Sequence, residues 1–109
     1  MKVKRYSIYW VDLNPVVGSE ISKIRPAVVI SDDLMNTHLQ TVVVCPLTTK
    51  LHPAWRSRII IDCAGKPSEI AVDQIRTISK LRLKQEIDQL NQAEAEQLRQ
   101  LIVEMYGVA

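Results

Sequence analysis

The chain has 109 residues, 47% hydrophobic and 24% charged, with a formal net charge of +2; it has room for one hydrophobic core but not two, and its balance excludes a disordered chain. Its apolar runs fall far short of the roughly 20 residues that cross a bilayer, and Asp12 and Asn14 interrupt the text behind the basic N-terminus before a signal peptide can form. A single domain over residues 1–109, cytoplasmic and without membrane association, is the expectation.

Residues 8–13 combine aromatic and β-branched types and are expected as a strand. Asn14-Pro15 ends it, since proline has no N–H for a ladder. A polar loop follows, with Gly18-Ser19-Glu20 as its turn. Residues 27–31 and 41–47 are short, apolar and β-branched, which marks buried central strands; residues 32–36 between them can form one helical turn. After a loop around residues 50–55, residues 57–62 read as another strand and Ala64-Gly65-Lys66-Pro67 as a turn. Residues 69–78 supply one strand, or two short ones joined by a bend. Residues 80–88 are read as contributing a short helical turn.

The period then changes. Leu98, Leu101, Ile102 and Met105 fall at i, i+3, i+4 and i+7, one face of a helix. Asn91 is suited to its N-cap, with Glu94 three residues on as the acid of a capping box, and Gly107 to its end. Five or six strands packed by one C-terminal helix give a mostly β chain of the α+β kind, folded as a small, mostly antiparallel barrel or a strongly bent sheet.

Cys45 and Cys63 lie in apolar strand-like text and are expected as reduced core residues. With only His38 and His52 besides, no metal-ligand spacing appears, so neither metal nor cofactor is expected. Residues 1–58 hold eight Lys and Arg against four Asp and Glu, whereas residues 59–109 hold six against eight. That bias is compatible with a polyanionic ligand.

Five segments in fixed order carry more information. They are Tyr9-Trp10-Val11-Asp12-Leu13-Asn14-Pro15, Gly18-Ser19-Glu20, Arg25-Pro26-Ala27-Val28-Val29-Ile30-Ser31, Pro46-Leu47-Thr48-Thr49 and Asp73-Gln74-Ile75-Arg76-Thr77-Ile78. Together they resemble the MazF/PemK family of toxin endoribonucleases, from about Lys4 to the C-terminus. The resemblance implies an SH3-like barrel, a homodimer, single-stranded RNA as substrate and a cognate antitoxin protein; with no metal-ligand spacing in the chain, cleavage is expected to proceed without metal. Tyr6-Ser7 stands where the family often has Gly-Asp. Ser19 and Ala71 stand where the PemK branch has a histidine and an arginine, so that acid/base set is incomplete, and the MazF-style pair Arg25 and Thr48 is carried over as catalytic.

An arginine fork can grip phosphate oxygens and stays charged, and a threonine hydroxyl can hydrogen-bond the same phosphate. The plainer alternatives are a solvated charge for Arg25 and a structural strand end for Thr48. Ser19, Glu20, Asn36 and Thr49 are further candidate RNA contacts. Asp73 and Gln74 either line the RNA groove or satisfy backbone groups in a bend, and Arg76 contacts phosphate or makes a structural ion pair. Trp55 is either a stacking platform for a splayed base or a partly buried loop anchor. Two other functions stay open: a related barrel that poisons a protein target, as the gyrase-directed CcdB toxins do, and a catalytically silent RNA-binding barrel.

Overall fold

The computed structural model describes residues 2–107. Among them seven strands, β1 (Ser7–Asp12), β2 (Ile24–Val29), β3 (Thr41–Thr48), β4 (Arg58–Cys63), β5 (Lys66–Ala71), β6 (Arg76–Ser79) and β7 (Leu83–Gln89), form one sheet. Its order is β4-β5-β3-β2-β1-β7, with β6 also on β3, and every pairing is antiparallel. A short helix, α1 (Asp33–His38), links β2 to β3, and α2 (Gln92–Tyr106) closes the chain.

The sheet curls at β3. One edge of this strand bonds β2, from Ala27 opposite Pro46 to Val29 opposite Val44. The other edge bonds β6 from Thr41 to Val44, then changes partner and bonds β5 at Leu47 and Thr48. Pro46, with no N–H to offer, lies just past the point where β6 leaves off. The 3-10 turn Val72–Gln74 is the bend between β5 and β6, so residues 69–78 form two strands rather than one. Between β4 and β5, Ala64 and Gly65 adopt φ of 51° and 82°. Positive φ at both positions of a two-residue loop is the type I′ hairpin that matches strand twist.

Alternation along the strands buries both faces of the sheet. Ile8, Val28, Cys45, Leu47, Ile59, Ile61 and Ile70 pack on one side, under α2. Tyr9, Val11, Leu13, Ala27, Val29, Val42 and Val44 fill the other. Strands buried on both faces lose the apolar–polar alternation, which is why residues 27–31 and 41–47 read as continuous apolar runs. Leu98 of α2 is fully buried, while Leu101, Ile102 and Met105 pack against the same cluster. The capping box is complete: Asn91 Oδ1 accepts from the Glu94 N–H at 2.7 Å, and Glu94 Oε1 from the Asn91 N–H at 3.0 Å. Such a cap contributes about 1 kcal/mol.

Residues 80–88 contribute the expected short helical turn, a 3-10 turn at Lys80–Arg82, but then continue as β7, so the strands are seven and not five or six. This strand pairs with β1 through two register shifts and buries only Leu83 fully. Edge strands are commonly charged and irregular, so its identity comes from the β1 ladder and not from its own composition. Gly107 ends α2 as expected, yet its φ of −73° is not left-handed. A Cβ there would run into the Val103 carbonyl oxygen, so the missing side chain is what matters.

Candidate functional site

Three loops and the end of β3 surround an open cleft of about 480 Å³, lined by Ser19, Ile21, Thr48, Lys50, His52, Trp55, Arg58, Asp73 and Gln74. Its wall is organised by a carboxylate in the sheet. Glu69 of β5 sits opposite Thr48 in register and is wholly inaccessible to solvent. An ionised carboxylate so buried must be paired and hydrogen-bonded. Glu69 Oε1 accepts from Arg58 Nη1 at 2.8 Å and lies 3.1 Å from His52 Nδ1, while Oε2 accepts from the His52 backbone N–H at 2.5 Å.

Arg58 continues the network. Its Nε and Nη2 reach the two oxygens of Asp73 at 2.7 and 3.3 Å, a bidentate grip, and Ser57 Oγ donates to Asp73 Oδ1 at 2.8 Å. Burial pushes the Glu69 carboxyl up, but the hydrogen bonds from His52 and Arg58 outweigh it and leave it below its ordinary value. Asp73 behaves alike: burial raises it, and the bonds from Arg58 and Ser57 bring it below the usual carboxylate range. Over this network lies Trp55, half-exposed, stacked on the His52 ring at 3.8 Å and 18°, with the Arg58 guanidinium carbon 4.7 Å from its ring centre.

Arg25 lies elsewhere. It lines a second hollow of about 590 Å³ together with Trp10, Ile24, Thr49, Lys66 and Ile87, among others, and its Nε donates to the Ser22 carbonyl at 3.3 Å. The β2–β3 ladder ends with Ala27 opposite Pro46; the same offset carried two residues further sets Arg25 across from Thr48. The candidate pair thus lies just beyond the paired part of two neighbouring strands, and the two side chains line different hollows. Thr48 Oγ1 also accepts from the Lys50 N–H at 3.1 Å, shaping the start of its loop.

The remaining candidates divide. Ser19, Trp55, Asp73 and Gln74 share the cleft with Thr48, and Thr49 shares the hollow with Arg25. Gln74 Oε1 accepts from the Ile21 N–H at 2.7 Å and so ties the 13–23 loop to the bend after β5. Arg76 Nη1 donates to the Leu13 carbonyl at 3.1 Å, an anchor at the other end of that loop rather than an ion pair. Glu20 folds back to accept from the Val17 N–H at 2.5 Å. Asn36 is 2% exposed. Its Oδ1 accepts from Ser31 Oγ at 2.6 Å and its Nδ2 donates to the Ser31 carbonyl at 2.9 Å, so its whole amide serves the α1–β2 junction.

His52, Arg58, Glu69 and Lys50 did not stand out in the sequence. The usable signal was Glu69, an acid between Ser68 and Ile70 in apolar strand text, which demands a partner without naming it. Ala71 pairs with Arg58 across β4 and β5, so a guanidinium reaches Asp73 from the neighbouring strand. Cys45 and Cys63 are free, buried thiols; burial, reinforced by the charge of Asp73, pushes Cys45 up to about 12. Among the described residues no three His, Cys, Asp or Glu side chains come together to hold a metal ion, and no helix is long and apolar enough to cross a membrane.

Comparison with known proteins adds to this geometry. A family described as "PemK-like, MazF-like toxin of type II toxin-antitoxin system" matches residues 4–106. The chain is 38% identical over 96 residues to endoribonuclease EndoA of Bacillus subtilis, covering 84% of this chain and 83% of that one. It is 33% identical over 108 residues to endoribonuclease MazF of Staphylococcus saprophyticus, covering 92% and 88%. MazF from Deinococcus radiodurans shares the fold, with a TM-score of 0.87 over 99% of both chains at 17% identity.

Proposed function

The chain belongs to the PemK-like, MazF-like family of type II toxins and is an endoribonuclease of that kind; on that premise we propose that it cuts single-stranded RNA in the cytoplasm by attack of the substrate's own 2′-hydroxyl, without a metal ion. The O2′–P bond forms as the P–O5′ bond breaks, which leaves a 2′,3′-cyclic phosphate upstream and a 5′-hydroxyl downstream. Because RNA carries its nucleophile, the protein has to orient it, move a proton and hold the charge that develops on phosphorus oxygens.

The observation that carries this reading is that Arg25 and Thr48 each lie two residues beyond the last paired position between β2 and β3, between two hollows that offer cations and aromatic faces. Arg25 clamps the phosphate, and its permanently charged fork suits it to that work and not to proton abstraction. Thr48 hydrogen-bonds the same phosphate. Splayed bases stack on Trp55 and take hydrogen bonds from Ser19, Gln74 and Thr49. The active form is a homodimer, and the antitoxin is an acidic, partly disordered chain that folds into the RNA-binding groove.

Incubation of the purified, antitoxin-free protein with mixed-sequence single-stranded RNA in excess EDTA tests the proposal. Discrete cuts with the end groups above are expected, and Arg25→Ala should slow them by on the order of 10²–10³, the effect of losing one preorganised donor. Uncut RNA, or cutting that requires a divalent ion, refutes the mechanism. Normal cutting by Arg25→Ala refutes the site.

A further inference from the structure

We propose that His52 accepts the proton of the 2′-hydroxyl, with Glu69 as the residue that positions its ring, an inference that rests on the RNA-cleaving reading above. Arg25 is a donor only, so the reaction needs an acceptor from another side chain. Three other charged groups line the cleft that holds Thr48 and His52. Lys50 and Arg58 are cations without a lone pair to give. Asp73 has both oxygens engaged by Arg58, and one of them also by Ser57. The imidazole is what remains.

Its setting makes it an acceptor. Glu69 grips His52 twice, at the backbone N–H and at Nδ1, so both the loop and the ring are fixed. Nδ1 lies 3.1 Å from the Glu69 carboxylate and 3.5 Å from Arg58 Nη1; the nearer carboxylate can only accept, so Nδ1 carries a hydrogen toward it and the lone pair of the neutral ring falls on Nε2. Trp55 covers one ring face at 3.8 Å. Nε2 makes no hydrogen bond to protein among the described residues, and the side chain is 22% exposed in the wall of the cleft. The ring therefore presents one edge, with an open acceptor, to whatever occupies the space beside Thr48.

In the step, the O2′ proton passes to Nε2 as O2′ bonds phosphorus. The 5′-oxygen departs and takes its proton from water, and the imidazolium, held against the Glu69 carboxylate, returns its proton to solvent. No oxidant or other reactant enters. Proton transfer by a positioned side chain contributes typically 10²–10⁴-fold.

The test uses the full-length protein and a short single-stranded RNA reporter, with kcat/KM measured from pH 5 to 9 for wild type, Arg25→Ala, His52→Asn and His52→Ala. Asparagine keeps a donor for Glu69 and so preserves the loop, but supplies no base. The expected result is an acid limb for wild type, as a base that must be unprotonated to work requires. His52→Asn should lose at least about 100-fold together with that limb, and added imidazole should restore part of the activity of His52→Ala. Cleavage by His52→Asn within threefold of wild type overturns the inference. So does a wild-type profile without an acid limb, which needs no variant to fold. If wild type cuts, Arg25→Ala does not, and His52→Asn does, His52 alone is refuted; if wild type leaves RNA uncut, the reaction and the inference fall together.

Discussion

Arg58→Met probes the network that shapes the cleft wall. The substitution keeps a long apolar stem and removes the guanidinium from between two carboxylates. The two sides are unequal. The Asp73 side chain is 38% exposed, so water can replace much of what it loses, and that pair contributes at most about 1 kcal/mol. Glu69 is fully buried and would keep its charge with only the His52 ring and backbone N–H to balance it. Removing one partner of a buried ion pair costs about 3–5 kcal/mol, a large part of the 5–15 kcal/mol that stabilises an ordinary domain. In urea, with m of about 1–3 kcal/mol/M, the midpoint should fall by more than about 1 M. Unfolding followed by far-UV circular dichroism, at one protein concentration because association shifts apparent stability, measures the change. The double variant Arg58→Met/Glu69→Gln removes the stranded charge as well and should recover part of the loss. A single variant within about 1 kcal/mol of wild type would refute the reasoning, as would a double variant no more stable than Arg58→Met.

Two other outcomes follow from the geometry. Ala64 holds a left-handed φ of 51° in a type I′ turn followed by Gly65, a position that favours asparagine. Ala64→Asn should raise stability by about 0.5–1 kcal/mol in the same assay, and an unchanged or lowered midpoint would show that the turn is not strained. Acid should unfold the protein through Glu69 and Asp73. Both titrate below their ordinary values in the folded state, so the unfolded chain binds protons more readily. Their contribution is complete above about pH 5 and is lost as the pH falls through the folded values. The denaturation midpoint should therefore be level just above pH 5 and drop steeply below about pH 4, and a midpoint that stayed level to pH 2 would contradict the assignment.

What could be read in the sequence was what local chemistry decides. The Asn91–Glu94 box, the stripe from Leu98 to Met105 and the apolar runs of β2 and β3 each announce themselves within a few residues. The strand β7 did not, because Lys84, Glu86 and Asp88 carry no mark of a sheet until β1 lies beside them. The site divided in the same way. Arg25 and Thr48 stood in motifs, and they lie just beyond the paired part of β2 and β3. The network of His52, Arg58, Glu69 and Asp73 depends on the register of the β4–β5 hairpin and on how the loop before β4 folds back over it, neither of which the residue types state. Asn36 illustrates the converse. Its polar side chain beside a strand invited a ligand reading, and the structure spends it on Ser31.

The pairing of β1 with β7 joins opposite ends of the chain: Ser7 lies against Gln89 and Val11 against Leu83. During synthesis, β2 and β3 can form a hairpin-like sheet with β1, but the outer edge of β1 has no partner until the final quarter of the chain exists. Sheets dominated by such distant pairings fold in milliseconds to seconds, and an open edge is a template for unwanted strands. The newly made chain therefore passes through an interval in which Arg76 and Arg82, which hold the 13–23 loop through the Leu13 and Asp12 carbonyls, have yet to arrive. The order of synthesis holds the finished site back until nearly the whole chain has been made.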